Sequence, residues 1–350
     1  MQPTTLCNLD CKYCYLPYRH KRQDMPAAVQ RAAAGAAARW TESGHRLEIL
    51  WHAGEPLTVG VRKFGELLSA WPPRTVHRVQ TNATLIDDAW CDLFDRYRVL
   101  VSVSIDGPGA MNGDRVTRVG APAGRRIEAG TAALIRRGIP FDMLSVVRDP
   151  SPDAARSIYA HACALGADQL GVLPEETKGT HRDAPQAARR AWADFFHVLY
   201  SQWRANPVVR LRELESVANC YDAIRTGVTP EEIQALPVEP IPTVCYDGEV
   251  TVMSPDLAGF GHPRHGLFTV GNVLEYPLED LLDRAGAVAW VREALNGVDA
   301  CRRTCRYVGA CGGSWPANKF FELGRLDATE TSYCRNLHQA KVEGALLCRP

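Results

Sequence analysis

The run Cys7-Asn8-Leu9-Asp10-Cys11-Lys12-Tyr13-Cys14-Tyr15 spaces three cysteines as C-x3-C-x2-C, with an aromatic residue just before the third. Three thiolates on one short loop can wrap one face of a metal cluster. They fall one short of the four protein ligands that a closed cluster takes. A cluster held this way keeps one iron open for a ligand that is not protein. The competing readings are a structural zinc site, with His20 folding back as the fourth ligand, and unrelated core cysteines.

The rest of the composition narrows the setting. The chain has 350 residues and a formal net charge of zero, with 40 basic and 40 acidic side chains. No sustained basic run is present, so no nucleic-acid partner is expected. No apolar stretch approaches the length of a membrane span, and the cysteine loop follows the N-terminus without a signal peptide. The expectation is a cytoplasmic protein with no membrane partner. In a reducing compartment its 12 cysteines point to metal rather than to disulfides. Cys91, Cys163 and Cys220 lie singly in helical patterns as small buried hydrophobes, and Cys348 reads as a free thiol.

Short apolar runs alternate with amphipathic segments over the first two hundred residues or so. Residues 47–51, 76–80, 99–105, 141–147 and 169–173 predict strands, and 27–43, 62–71, 87–97, 126–137 and 152–165 predict helices. This rhythm of strand and helix predicts an α/β fold with a parallel sheet. In such sheets functional residues gather on loops at the carboxyl ends of strands. His52-Ala53-Gly54-Glu55-Pro56, Thr81-Asn82-Ala83 and Asp106-Gly107-Pro108 all fall there. Helical text at 185–205 and 212–225 breaks the rhythm. The prolines at 230, 237, 240 and 242 then mark a boundary, dividing the chain into 1–228 and 229–350. A hairpin turning at Asp247-Gly248 is predicted across 244–253, followed by loop-rich sequence.

The cysteine triplet followed by these strand-end motifs resembles the radical S-adenosylmethionine (radical SAM) enzymes. The resemblance implies a partial (β/α)6 TIM-like barrel and a [4Fe–4S] cluster on Cys7, Cys11 and Cys14, with S-adenosylmethionine on the open iron. Electron transfer from the cluster then releases a 5′-deoxyadenosyl radical, chemistry that belongs to the cofactor and that the protein positions. Ala53-Gly54-Glu55-Pro56 is similar to the family's G-G-E-P segment, with alanine in place of the first glycine. Gln80-Thr81-Asn82 and Ser104-Ile105-Asp106-Gly107-Pro108 are similar to its later strand ends. By the same resemblance Tyr13, Gly54, Glu55, Pro56, Gln80, Asn82, Ser104, Arg115 and Val172 are cofactor-binding candidates. Arg118 is the alternative to Arg115, and Leu173 would flank the adenine beside Val172. Taken singly, each motif also reads as an ordinary turn or cap.

Cys301, Cys305, Cys311 and Cys334 form a second set, with Gly312-Gly313 beside it. Four cysteines in loop-rich sequence suit a closed four-thiolate iron–sulfur site, with a zinc knob as the alternative. The set resembles the SPASM (or twitch) extension of radical SAM peptide maturases, with one auxiliary [4Fe–4S] cluster rather than the usual two. Cys245 reads first as a strand residue and second as a ligand.

A closer resemblance is to the cyclophane-forming maturases of the GrrM/OscB type. It rests on Gln2-Pro3-Thr4, Cys14-Tyr15-Leu16-Pro17, Ser254-Pro255-Asp256-Leu257, Val270-Gly271-Asn272-Val273, and the tail from Cys311-Gly312-Gly313-Ser314 through Pro316-Ala317-Asn318-Lys319 to Cys334. It implies a ribosomally made precursor peptide as substrate. An aromatic ring carbon is joined to the β-carbon of a residue two positions on. A flavodoxin- or ferredoxin-like protein supplies electrons. The proton released at the ring needs a base, for which Asp256, Glu175 and Glu176 are candidates, each of which also reads as a solvated or capping carboxylate. Two features depart from that pattern: the chain starts only six residues before Cys7, so a short or trimmed first barrel strand is expected, and its length leaves no room beside the barrel for a separate leader-recognition domain. The rival readings are a thioether synthase or sulfatase-maturase-like oxidase within the class and, outside it, a metal-binding module without turnover.

Overall fold

The computed structural model describes residues 1–185, 187–229, 232, 238–313 and 315–348. Pro230, Pro237 and Ser314, singled out in the sequence, lie outside these.

Six strands form one sheet in chain order: β1 (Glu48–Trp51), β2 (Val76–Thr81), β3 (Leu100–Ser104), β4 (Phe141–Val147), β5 (Gln169–Pro174) and β6 (Arg210–Leu211). The pairs β1–β2, β2–β3, β4–β5 and β5–β6 are parallel, with Trp51 opposite Val79, Thr81 opposite Val103 and Leu173 opposite Val146. Between them run α1 (Ala27–Glu42), α2 (Val61–Ser69), α3 (Asp88–Tyr97), α4 (Gly124–Arg136), α5 (Pro152–Leu165) and α6 (Arg189–Ala205), with α7 (Arg212–Arg225) after β6. This is the α/β fold with a parallel sheet that the strand–helix rhythm predicts. The five longer strands fall where the apolar runs place them. The sixth has only two residues, too few for a period-two pattern.

The caps explain the helix boundaries. Asp87 accepts a hydrogen bond from the Trp90 amide at the start of α3. Ser151 does the same for the Ala154 amide, with Pro152 at the first helical position of α5, and Gly166 ends that helix in the left-handed conformation. Under β1 and β2 an aromatic cluster fills the core. Trp51 meets Phe64 at 5.6 Å and Trp71 at 6.0 Å, and Phe64 meets Trp90 at 5.6 Å.

No strand is assigned before the cysteine loop. Met1 instead lies along β1: its ammonium donates to the Leu50 carbonyl at 2.9 Å, and the His52 amide donates to the Met1 carbonyl at 3.0 Å. The predicted hairpin is present as β7 (Thr243–Val244) and β8 (Glu249–Thr251), turning through Gly248 at φ 93°, and a further strand, Gly271–Asn272, extends it.

The chain divides into two compact units. One holds Met1–Ser104, Asn112–Phe141 and Pro240–Val291; the other holds Ile105–Met111, Asp142–Glu239 and Arg292–Pro350. The first cysteine set belongs to the former and the second set to the latter. Among the described residues, no helix is long and apolar enough to cross a membrane.

Candidate functional site

Backbone hydrogen bonds clamp the first cysteine loop on both sides. The Cys7 amide donates to Arg19 O at 2.8 Å, Asp10 N to Val116 O at 2.8 Å and Lys12 N to Asp114 O at 3.0 Å. The Cys7 sulfur accepts from the Leu9 amide at 3.4 Å and from Asn82 Nδ2 at 3.9 Å. Burial pushes the Cys7 thiol well above its ordinary range, and the nearby charges of Glu55, Cys14 and Cys11 add to the shift. Burial raises Cys14 as well, opposed in part by Arg19 and Arg115. Three thiols on one loop form a donor set that fits an iron–sulfur cluster with one iron left open.

Two strand ends meet this loop, and a third is tied to them. After β1, Ala53 and Gly54 both take the left-handed conformation, at φ 69° and 62°. A Cβ on Gly54 would come within 2.7 Å of Leu6 O and 2.8 Å of Thr4 O, so only glycine fits there. Ala53 tolerates the geometry at a conformational cost. Glu55 follows, 2% exposed. Its Oε1 accepts from Thr81 Oγ1 at 2.7 Å and from Leu57 N at 3.2 Å, its Oε2 accepts from Asn82 N at 2.8 Å, and its own amide donates to Leu6 O at 2.8 Å. Burial pushes the Glu55 carboxyl up to about 7, against these donors, which favour the charged form.

After β2, Asn82 Nδ2 also donates to Asn8 Oδ1 at 3.0 Å, and Asn8 reaches Thr84 Oγ1 at 2.7 Å. Gln80 donates to Ser104 Oγ at 2.8 Å, tying β2 to the end of β3. The structure separates the two arginines. Arg115 is 4% exposed, with its guanidinium 5.5 Å from the Tyr13 ring centroid, whereas Arg118 is exposed and donates to His20 O. Val172 is fully buried on β5 in the other unit, and its amide donates to Glu213 Oε2 at 3.1 Å. Glu213 is a buried carboxylate that periodicity alone does not reveal.

The second cysteine set lies among helix ends. Cys301 is 3% and Cys334 4% exposed, whereas Cys305 and Cys311 are partly exposed. Cys301 Sγ donates to Thr329 O at 3.1 Å and accepts from Lys319 Nζ at 3.7 Å; Cys334 Sγ accepts from Gln339 Nε2 at 3.8 Å. Burial pushes the Cys334 thiol up to about 12, and the charges of Cys311 and Cys305 contribute. Gly313, at φ 107°, lies against Val298, where a Cβ would stand 2.9 Å from a methyl carbon. Nitrogen donors aimed at sulfur are the surroundings that ligating thiolates use, so this set also fits an iron–sulfur group. Cys245 belongs to the other unit. It is buried in the β7–β8 turn, where burial pushes its thiol up to about 12.

The candidate bases differ in what surrounds them. Glu175 and Glu176 follow β5 and line a cavity of about 250 Å³ with Thr177, Phe321, Tyr333 and Asn336. Glu176 Oε1 is paired with Lys178 Nζ at 2.7 Å, and its Oε2 accepts from Asn318 Nδ2. Glu175 Oε1 is bonded to His181 Nε2 at 2.9 Å; its Oε2 accepts no hydrogen bond among the described residues, and Arg148 Nε stands 3.8 Å away. His181 was not singled out in the sequence, since it meets Glu175 only through the Lys178–His181 bridge. Asp256 sits half-buried in the one-turn helix Pro255–Leu257 of the other unit.

The sequence model of the radical SAM superfamily matches residues 1–159. An uncharacterized protein of Synechocystis sp. is 30% identical over 351 residues, spanning 96% of this chain and 87% of the relative. The chain belongs to the radical SAM superfamily. Membership brings S-adenosylmethionine and a [4Fe–4S] cluster. A serine-type anaerobic sulfatase-maturating enzyme of Klebsiella aerogenes is 29% identical over 210 residues, 57% of this chain and 51% of that one. Among solved structures, native anSMEcpe with bound AdoMet superposes with a TM-score of 0.75 at 19% identity, covering 99% of this chain and 95% of that chain. Streptococcus suis SuiB bound to precursor peptide SuiA gives 0.67 at 15% identity, covering 95% and 74%. Both structural likenesses are likenesses of fold.

Proposed function

We propose that this radical SAM enzyme matures a ribosomally made precursor peptide, joining an aromatic ring carbon to the β-carbon of a residue two positions on. Support for a peptide substrate comes from the similar solved structures whose names include a bound peptide, together with the cavity at the end of β5. The observation that supports a base-assisted reaction is Glu175 at that cavity, its Oε1 bonded to His181 and its Oε2 buried without a hydrogen bond among the described residues, 3.8 Å from Arg148 Nε.

In this reading Cys7, Cys11 and Cys14 hold the open cluster. Gly54, Glu55, Pro56, Gln80, Asn82, Ser104, Arg115 and Tyr13 cradle S-adenosylmethionine, and Cys301, Cys305, Cys311 and Cys334 hold an auxiliary cluster. The bound groups supply a carbon-centred radical and a one-electron acceptor. Forming the carbon–carbon bond removes one hydrogen atom from the β-carbon. It also removes one electron and one proton from the ring adduct. Glu175 takes that proton, its Oε2 making no hydrogen bond among the described residues, whereas Glu176 is held by Lys178 and Asn318; Glu176 and Asp256 are the alternative bases. His181 keeps Glu175 oriented and can carry the proton onward.

The test is anaerobic reconstitution with a co-encoded peptide, followed by fragmentation and NMR of the product. A ring carbon bonded to a β-carbon supports the proposal. Oxidation of a serine or cysteine to an aldehyde would establish the second reading, which the sulfatase-maturase similarity favours. Absence of 5′-deoxyadenosine would overturn both and leave a metal-binding module.

A further inference from the structure

Lys319 is 1% exposed and ranks among the largest fully buried side chains of the protein. An ammonium removed from water is costly unless an opposite charge meets it. Among the described residues, no carboxylate pairs with Lys319. Its hydrogen-bond acceptor is the sulfur of Cys301, 3.7 Å from Nζ. The fold makes room for this contact. A Cβ at Gly297, one turn before Cys301 on the helix Ala289–Thr304, would stand 3.0 Å from Lys319 Nζ and 2.6 Å from Leu326 O.

Four neutral thiols give the ammonium no counter-charge. Four thiolates on a [4Fe–4S] core carry a net charge of two minus when oxidised and three minus when reduced. The ammonium therefore gains its full partner only with the cluster in place, and it favours the more negative, reduced form.

We propose that Lys319 is a positioning residue for the auxiliary site, raising the reduction potential of the group held by Cys301, Cys305, Cys311 and Cys334. The proposal rests on the auxiliary-cluster reading given above. Its consequence is directional: an acceptor with a raised potential takes the electron from the ring adduct more readily. Gln339 Nε2, at 3.8 Å from Cys334 Sγ, contributes a neutral donor to the same set. The charged donor is the one that distinguishes oxidation states most strongly.

The experiment uses full-length protein carrying Cys7→Ala, Cys11→Ala and Cys14→Ala, so that only the auxiliary group remains visible. Iron content and a spectroscopically monitored redox titration are compared among this parent, Lys319→Met and Lys319→Arg. The parent is expected to hold about four irons. Lys319→Met is expected to shift the midpoint to more negative potential, and Lys319→Arg, which keeps the charge, to return it toward the parent. Loss of iron in Lys319→Met with retention in Lys319→Arg supports the same role. An unchanged midpoint in fully loaded Lys319→Met overturns the proposal, as does loss of iron in both variants. A parent that binds no iron sinks the auxiliary-cluster reading itself, a result distinct from the failure of Lys319.

Discussion

The two cysteine sets solve one chemical problem in opposite ways. The first packs three thiols between Cys7 and Cys14 on a loop held by backbone hydrogen bonds, with a buried carboxylate, Glu55, as neighbour to Cys7. The second spreads four thiols from Cys301 to Cys334 across several helix ends and sets a buried ammonium on one sulfur. Local sequence builds the first; tertiary packing builds the second. The charges differ as well: Glu55 stands by Cys7 while Arg19 and Arg115 act on Cys14, and Lys319 stands by Cys301.

The largest expected effect tests this division directly. Cys11→Ala should abolish 5′-deoxyadenosine formation and remove about four of about eight irons. The double variant Cys305→Ala/Cys311→Ala should lose the same share of iron yet still cleave S-adenosylmethionine, and fail to release crosslinked peptide. Equal loss of cleavage in both, measured by chromatography, breaks the comparison.

Next in size is the pair of adjacent glutamates. Glu175→Gln should lower product formation on the order of 100-fold while cofactor cleavage continues. Glu176→Gln, whose oxygens hold Lys178 and Asn318, should act mainly on stability. Product per turnover by mass spectrometry separates the two.

A third pair sharpens how the first set is built. Gly54→Ala places a methyl against the Leu6 and Thr4 carbonyls in a left-handed conformation and should cost on the order of 3 kcal/mol. Ala53→Gly relieves the strain next to it and should stabilise by about 1 kcal/mol. The midpoint of urea unfolding reports both.

The smallest effect is one of pH. Burial holds His77 at about 4, where its ring accepts the Trp51 indole N–H at 3.2 Å, and holds His338, in the unit of the second set, at about 3. Both lie below the unfolded value of about 6.5, so the unfolded chain takes up protons that the folded chain refuses. Stability from these groups is full above about pH 6.5 and declines as pH falls toward 4 and then 3. Acid titration of unfolding midpoints in His77→Gln against the parent reads the first step.

What could be read in the sequence follows the same contrast. The triplet, the five longer strands and their strand-end loops depend on neighbours a few residues apart, so spacing and periodicity reveal them. The two-residue strand Arg210–Leu211 is too short to show a period. Glu213 and Lys319 escape because their importance arises from burial and from partners distant in the chain, and His181 because the local bridge that turns it onto Glu175 leaves no periodic signal. The left-handed backbone at Ala53 escapes for a related reason: alanine gives no sign of it, whereas Gly54 does.

Glu55 has a consequence for the order in which the protein is assembled. Its carboxylate and amide staple Leu6, Leu57, Thr81 and Asn82 together using protein groups alone. These bonds should keep the first loop folded in iron-free protein, unlike small metal domains that fold only on loading.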